Sequence, residues 1–219
     1  MALDTYNGLK AALPRYLGRD GDTSLDSAFD ELLVLAEDRI YNGSGAPGMP
    51  DYSAPVRVSA METVDDAFTL AELVAVPSGF LEVVSATLVS PVRPLTVQVG
   101  PYFDALRVSG TSGTPELIAV QGSNFRIYPD PGSTYTAKLV YYARLTTPAG
   151  SSGNWFTTTT PRVYLRALMA EAAAYVGDLE NAAAYIGEYN RSIAGMVGAN
   201  AQSRTAGAPL RIRLRASTP

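Results

Sequence analysis

The chain has no cysteine and no histidine among its 219 residues. Without cysteine no disulfide can form and no thiolate can hold a metal. Without histidine the commonest general base, the commonest metal ligand and the usual activator of a nucleophile are all missing. A mechanism built on carboxylates alone survives this filter; most hydrolase and metalloenzyme chemistries do not. No phosphate-binding glycine loop, nucleophile elbow or metal-ligand cluster is written in the sequence. No catalytic, cofactor-binding or metal-ligating residue is therefore assigned, no cofactor is expected, and the chain is not expected to be an enzyme. No apolar run approaches the ~20 residues of a bilayer-crossing helix, so no membrane anchor is expected. The opening Met1-Ala2-Leu3-Asp4-Thr5 lacks the basic and apolar blocks of a secretory leader.

What is present suits a globular protein. Apolar residues make up 47 % of the chain, enough for a real core, in one domain or one domain with a large insertion. Charge is sparse at 17 % and unevenly placed. Residues 1–50 hold eight acids against four bases, a net of −4, while residues 204–219 hold Arg204, Arg211, Arg213 and Arg215 with no acid, a net of +4. An acidic head and a basic tail on one chain suit contact with an acidic surface on a copy or on a partner. Two solvated surfaces that never meet are the plainer alternative.

Periodicity divides the chain into helices, then strands, then helices. Asp4 is placed to cap a first helix with Tyr6, Leu9, Leu13, Tyr16 and Leu17 on one face, and Pro14 predicts a kink or a late break in it. Thr23 or Ser24 is placed to cap a second helix that buries Leu25, Phe29, Leu32, Leu33, Ala36 and Ile40. Asp26, Asp30, Glu37 and Asp38 fall on its other side, and Asn42-Gly43 should end it. The stretch from Ser44 to Pro55 reads as a loop.

From Val56 to Thr147 the period changes toward two. Strands are predicted at Phe68–Leu70, Val74–Val76, Phe80–Val89, Arg93–Val99, Ala119–Val120, Phe125–Tyr128 and Tyr135–Arg144, with a hairpin turn at Gln121-Gly122-Ser123-Asn124. Tyr135, Ala137, Leu139, Tyr141 and Ala143 should share one face of the last strand. Strands at turn-spaced intervals with no helix between them argue an antiparallel sandwich or small barrel inserted into a helical frame.

The last third is helical again. Thr160 is a cap with Pro161 at the first helical position, Gly177 ends that helix, and Asp178 caps the next. In this second helix Leu179, Ala182, Ala183, Ile186, Ile193 and Val197 repeat at helical spacing. Ala172 and Ala183 are candidate close helix–helix contacts, within or between subunits. The fold class is thus α+β. Residues 1–55 and 151–206 form a helical domain, 56–150 an inserted antiparallel β-domain, and 207–219 an extended basic tail.

These parts in this order resemble the head–tail adaptor proteins of tailed bacteriophages, the ring-forming connectors beneath the portal. The likeness is carried by Leu35-Ala36-Glu37-Asp38-Arg39-Ile40, by Val76-Pro77-Ser78-Gly79-Phe80-Leu81-Glu82-Val83, by Phe125-Arg126-Ile127-Tyr128-Pro129-Asp130-Pro131 and by Leu139-Val140-Tyr141-Tyr142-Ala143-Arg144. It continues through Asn154-Trp155-Phe156, the alanine-rich hairpin with Tyr175, Glu180, Tyr185 and Tyr189, and the basic tail. The resemblance implies a ring, commonly of twelve copies, at the head–tail junction of a virion assembled in the host cytoplasm. Its partners would be copies of itself, the portal protein and a tail or nozzle protein. Double-stranded DNA would pass through without sequence-specific binding.

Leu210, Arg211, Ile212, Arg213, Leu214 and Arg215 alternate apolar and basic. That pattern suits a strand added to a partner's sheet, and with the resemblance it makes these six the candidate portal-binding residues. A solvated tail, or an edge strand on the chain's own sheet, is the alternative. Four bases on an acidic chain are a poor footprint for DNA. Tyr141 and Tyr142 point to opposite faces of one strand, so core packing fits them better than a sugar-stacking platform. Trp155 is placed to staple a helix start. Glu171 with Glu180, or Asp65 and Asp66 with Glu62, could be pressed into a glycosidase role, but nothing in the sequence places one of them in an apolar pocket. Two other functions stay open: a different neck or tail-completion structural protein, and a carbohydrate-binding or wall-degrading tail accessory protein.

Overall fold

The structure is a computed structural model that describes residues 3–98, 103–104 and 111–206. The elements in chain order are α1 (Tyr6–Tyr16), α2 (Thr23–Asn42), a 3-10 turn (Ser59–Met61), β1 (Glu62–Leu70), β2 (Leu73–Ala75), β3 (Phe80–Leu88), β4 (Arg93–Gln98), β5 (Leu117–Gln121), β6 (Asn124–Tyr128), β7 (Tyr135–Ala143), α3 (Trp155–Thr159), α4 (Pro161–Tyr175) and α5 (Leu179–Thr205). The chain divides into two compact units. One comprises residues 1–9 and 57–159; the other comprises residues 10–56 and 160–219.

The first unit is built on one seven-stranded sheet in the order β1-β7-β3-β4-β5-β6-β2. Its two edge strands, β1 and β2, are consecutive in the chain and separated only by Ala71 and Glu72. Two residues cannot span a flat seven-stranded sheet, so the sheet curls until its edges approach. The side chains turned inward form the core: Phe68, Leu70, Ala86, Leu88, Leu95, Ile118, Phe125, Ile127, Ala137, Leu139 and Tyr141. Phe125 of β6 meets the edge of Phe68 from β1 at 5.5 Å and that of Phe80 from β3 at 5.2 Å, both near-perpendicular. Such edge-to-face pairs add to the gain from burial. Along β7 the predicted alternation holds, with Ala137, Leu139 and Tyr141 in the core and Tyr135 and Ala143 packed beside it.

Two sequence expectations need correction here. The β-domain is not wholly antiparallel: β4 and β5 pair in parallel, Thr96 opposite Leu117. Residues 99–116, long enough for a crossover, separate them, which a tight hairpin would not permit. And β1 is nine residues long rather than three. Its first part was hidden because Glu62, Asp65 and Asp66 give it a charged rather than an alternating apolar pattern and because its register shifts between Asp65 and Phe68. There the Ala67 amide donates to the Asp65 side chain at 3.0 Å, and the inward-outward alternation that marks a strand is lost.

In the second unit α4 packs against both α2 and α5. A helix between two neighbours must be apolar on most of its circumference. Nine of its fifteen residues are buried, from Val163 to Ala173, and the alanines Ala167, Ala170, Ala172 and Ala173 keep both approaches close. Helix α5 has a narrower buried stripe of Ala182, Ile186, Tyr189 and Met196. Leu179 and Val197, expected on that stripe, are exposed instead.

The helix ends follow local chemistry, with some capping roles shifted by one residue. The α1 cap is Thr5, whose hydroxyl accepts the Gly8 amide at 3.1 Å, rather than Asp4. Pro14 lies inside α1, which ends at Tyr16, and Tyr16 is exposed rather than on the buried face. Asp22 caps α2, accepting the Ser24 amide at 2.9 Å and the Ser24 hydroxyl at 2.6 Å. Helix α2 buries all six residues predicted for its inner face and ends at Gly43, at φ 76° and ψ −174°. Few residues but glycine adopt that conformation, and a side chain there would strike the Ser53 carbonyl. Thr160 occupies the cap of α4 but makes no side-chain capping bond, and Asp178 caps α5 through the Asn181 amide at 3.2 Å.

Candidate functional site

The helical unit is pinned by a polar network along the α2–α4–α5 seam. Arg39 donates its Nε to Glu171 of α4 at 2.6 Å, in a pair whose side chains are only 11 % and 15 % exposed. Its other end reaches the Asp51 carbonyl and the Ser53 hydroxyl, each at 3.4 Å. Asn190 of α5 donates to the Tyr52 carbonyl at 2.8 Å. The loop between α2 and the 3-10 turn is thereby tied to the helices at its far end, and an antiparallel bridge between Ser44 and Ser53 closes its base. Deeper in, the Tyr164 hydroxyl donates to Glu37 at 2.6 Å. Tyr189 is fully buried beside Arg39, and burial pushes its phenol up beyond the ordinary tyrosine range despite the neighbouring guanidinium. These groups are joined to one another and to backbone. They hold helices in register, and Arg39 and Glu171, bonded to each other, line a small cavity of about 260 Å³ together with Leu35, Asp38, Gly43 and Ser44.

On the outer side of α4 and α5 lies a cleft of about 440 Å³ lined by Arg162, Arg166, Glu188, Arg191 and Ser192. Arg166 pairs with Glu188 at 2.6 Å, while Arg162 and Arg191 are exposed. Elsewhere in this unit large apolar side chains face solvent. Val34 (65 %) and Leu35 (51 %) do so on α2, and Tyr175 (55 %) and Leu179 (71 %) do so at the α4–α5 turn. Isolated exposed hydrophobics are ordinary, but adjacent pairs at a helix surface and at a hairpin tip are the raw material of interfaces.

The residues singled out from sequence fall in varied places. Ala172 is fully buried, and Ala183 lies on the exposed side of α5. Leu210, Arg211, Ile212, Arg213, Leu214 and Arg215 lie outside the described residues. Glu171 is committed to Arg39, and Glu180 is exposed in the first turn of α5. Asp66 pairs with Lys138 at 3.0 Å with its side chain 74 % exposed, so it lies in no apolar pocket. Tyr141 packs against Phe80 with ring centres 5.8 Å apart, as core packing requires. Trp155, five residues before the Thr160 cap, itself opens the short helix α3, in contact with Phe156 at 5.4 Å. Just before it, Gly153 lies so close to the Asp4 carbonyl that a side chain would collide with it, and Thr157 donates to that same carbonyl at 2.8 Å. These contacts fix the Asp4 backbone against the start of α3.

Sequence reasoning missed two features. Glu37 was assigned to the acidic face of α2 but is buried, because Tyr164 donates to it. Its spacing four residues from Leu33 was the available signal. The arginine cleft was missed because Arg162 and Arg166 stand one turn apart on one helix while Arg191 comes from another, and only the fold joins them. Among the described residues no group of carboxylates could hold a metal ion, and no helix is long and apolar enough to cross a membrane.

No curated protein matches the chain significantly. Residues 4–213 do match a protein family described as the SU10 adaptor protein. The match covers both compact units and runs through the last helix into the segment that holds Leu210 to Arg213. A match of nearly the whole chain agrees with the resemblance read from the order of helices, strands and basic tail, and the chain belongs to the SU10 adaptor family of bacteriophage head–tail adaptors.

Proposed function

We propose that the protein is a structural component of a phage neck that forms an oligomeric ring between portal and tail, through which double-stranded DNA passes. What carries this reading is the family match over residues 4–213. The exposed apolar pairs Val34–Leu35 and Tyr175–Leu179 on the helical unit support it as contact surfaces awaiting partners. The mechanism is geometric and needs no chemistry. The helical unit contacts neighbouring copies through two different faces of one subunit, and the ring closes on that rotation. Ala183, exposed on α5, serves as a close contact between copies, while Ala172 serves within the subunit. In the commonest arrangement of the family the ring has twelve copies. The Leu210–Arg215 segment docks on the portal as an added strand, with Ile212 and Leu214 covered and the arginines facing acids. The β-unit faces outward or toward a tail or nozzle protein. DNA passes without sequence-specific contacts, since a conduit lined with phosphate-binding groups would retain it.

Electron cryomicroscopy of the purified protein, alone and mixed with its portal, tests the reading. A closed ring seated on the portal is the expected result. A protein that never binds the portal, or a constitutive trimer that binds cell-wall sugar, would overturn it.

A further inference from the structure

We infer that the arginine cleft on α4 and α5 receives the acidic face of helix α2 from a second copy of this chain. The inference rests on the ring reading and names the pairing within it. The only base on α2 is Arg39, and it is turned inward to Glu171. The exposed side of that helix carries Asp26 and Glu31 in solvent, with no ion pair among the described residues, beside the apolar Val34 and Leu35. The cleft offers the opposite charge. Arg166 is already neutralised by Glu188, but Arg162 and Arg191 are exposed at its rim and pair with no acid among the described residues. Both surfaces belong to the same compact unit, yet they do not pair within the chain. Each is therefore free to meet its complement on another copy. Two unlike, complementary patches on one subunit generate a head-to-tail contact, the type that builds a ring when the rotation closes. Guanidinium forks match carboxylates in bidentate geometry, so the pairing also fixes register.

A nucleic-acid phosphate would be the competing occupant of the cleft. Glu188 is paired with Arg166 and does not discriminate between a phosphate and a carboxylate; what favours a carboxylate partner is that the same chain carries the complementary exposed acids Asp26 and Glu31 on α2.

The absence of native cysteine gives a clean test. In the full chain, Glu31→Cys combined with Arg191→Cys should give a ladder of disulfide-linked multimers on mild oxidation. A control pair, Glu31→Cys with Ser203→Cys, should give little. The reversal Arg162→Glu with Arg191→Glu should cut self-association, read by sedimentation velocity, by about tenfold or more. Adding Asp26→Arg and Glu31→Arg to that protein should restore it. Circular dichroism melts of each variant separate a lost contact from a lost fold. The inference is overturned if the charge-reversed protein associates as well as wild type, or if the fourfold reversal fails to rescue while each variant stays folded. It is equally overturned if the cleft binds duplex DNA and the reversal abolishes that binding alone. Wild type that never associates, with or without portal, would sink the ring reading itself; association that ignores the cleft sinks only this pairing.

Discussion

At the scale of single residues, Glu37 and Glu171 show how little a carboxylate's identity says about its task. Each faces a donor a few ångströms away, Tyr164 for one and Arg39 for the other, and each joins helices distant in sequence. Removing the phenol with Tyr164→Phe takes one donor from a buried carboxylate and should cost about 1–3 kcal/mol, measured by urea unfolding. Glu171→Gln keeps the shape but leaves Arg39 without its counter-charge, and should cost about 2 kcal/mol. Neither substitution should create or abolish any hydrolytic activity. If Glu171→Gln left stability untouched while removing wall-degrading activity, the carboxylate would be catalytic rather than structural. The sequence made Arg39 and Glu171 visible as charges but not as partners, because 132 positions separate them and no local pattern reports such a pairing.

At the scale of elements, periodicity located nearly every helix and strand, and errors gathered where side chains compete with backbone. Caps are such places: Asp22 rather than Thr23 or Ser24, and Thr5 rather than Asp4, accept the free amides. Where the acid was placed correctly, at Asp178, the hydrogen bond from the Asn181 side chain, then that from its amide, holds the carboxyl below its usual 3.8. Asp22 is lowered in the same way, first by the Ser24 hydroxyl. A depressed folded pKa gives stability that is fully present above the ordinary carboxylate value and is lost as pH falls through the folded value. Asp178→Asn, which can still cap, should therefore match wild type in thermal melts at neutral pH and lose less stability than wild type at about pH 3. Alanine spacing carried less information than caps. Both Ala172 and Ala183 lie in the predicted hairpin, but only Ala172 is enclosed, since α4 has neighbours on two sides and α5 shows one narrow buried stripe. Ala172→Leu should overpack the core and cost about 1–3 kcal/mol. Ala183→Leu should leave the melting temperature nearly unchanged and act, through the contact proposed between copies, on ring yield. An equal fall in melting temperature for both would place Ala183 in the subunit's own core.

At the scale of the whole molecule, the sequence reads as two helical segments flanking a β-rich one, whereas the compact units comprise residues 1–9 with 57–159 and residues 10–56 with 160–219. What it could not show was the closing of the sheet. The parallel β4–β5 pair and the approach of β1 to β2 depend on which strands meet, and pairing between distant segments leaves no periodic trace. The basic tail was legible by composition alone, and the docking role proposed for it rests on that composition and on its place after the last helix. Every residue of the β-unit core precedes Leu165, and the last buried helical residue among those described, Met196, precedes the tail by ten positions or more. Among the described residues both cores are formed by positions before residue 197. Deleting residues 208–219 removes three arginines and moves the chain's net charge from −4 to −7. The shortened protein should remain folded, with an unchanged circular dichroism spectrum and melting temperature. If the tail is the docking element, the same protein should fail to attach to the portal, and adding a peptide of residues 208–219 in excess should compete with wild type for it. A truncated protein that binds portal and supports stable, DNA-filled particles at the normal rate would move the portal contact onto the helical unit, where Val34, Leu35, Tyr175 and Leu179 are the exposed candidates.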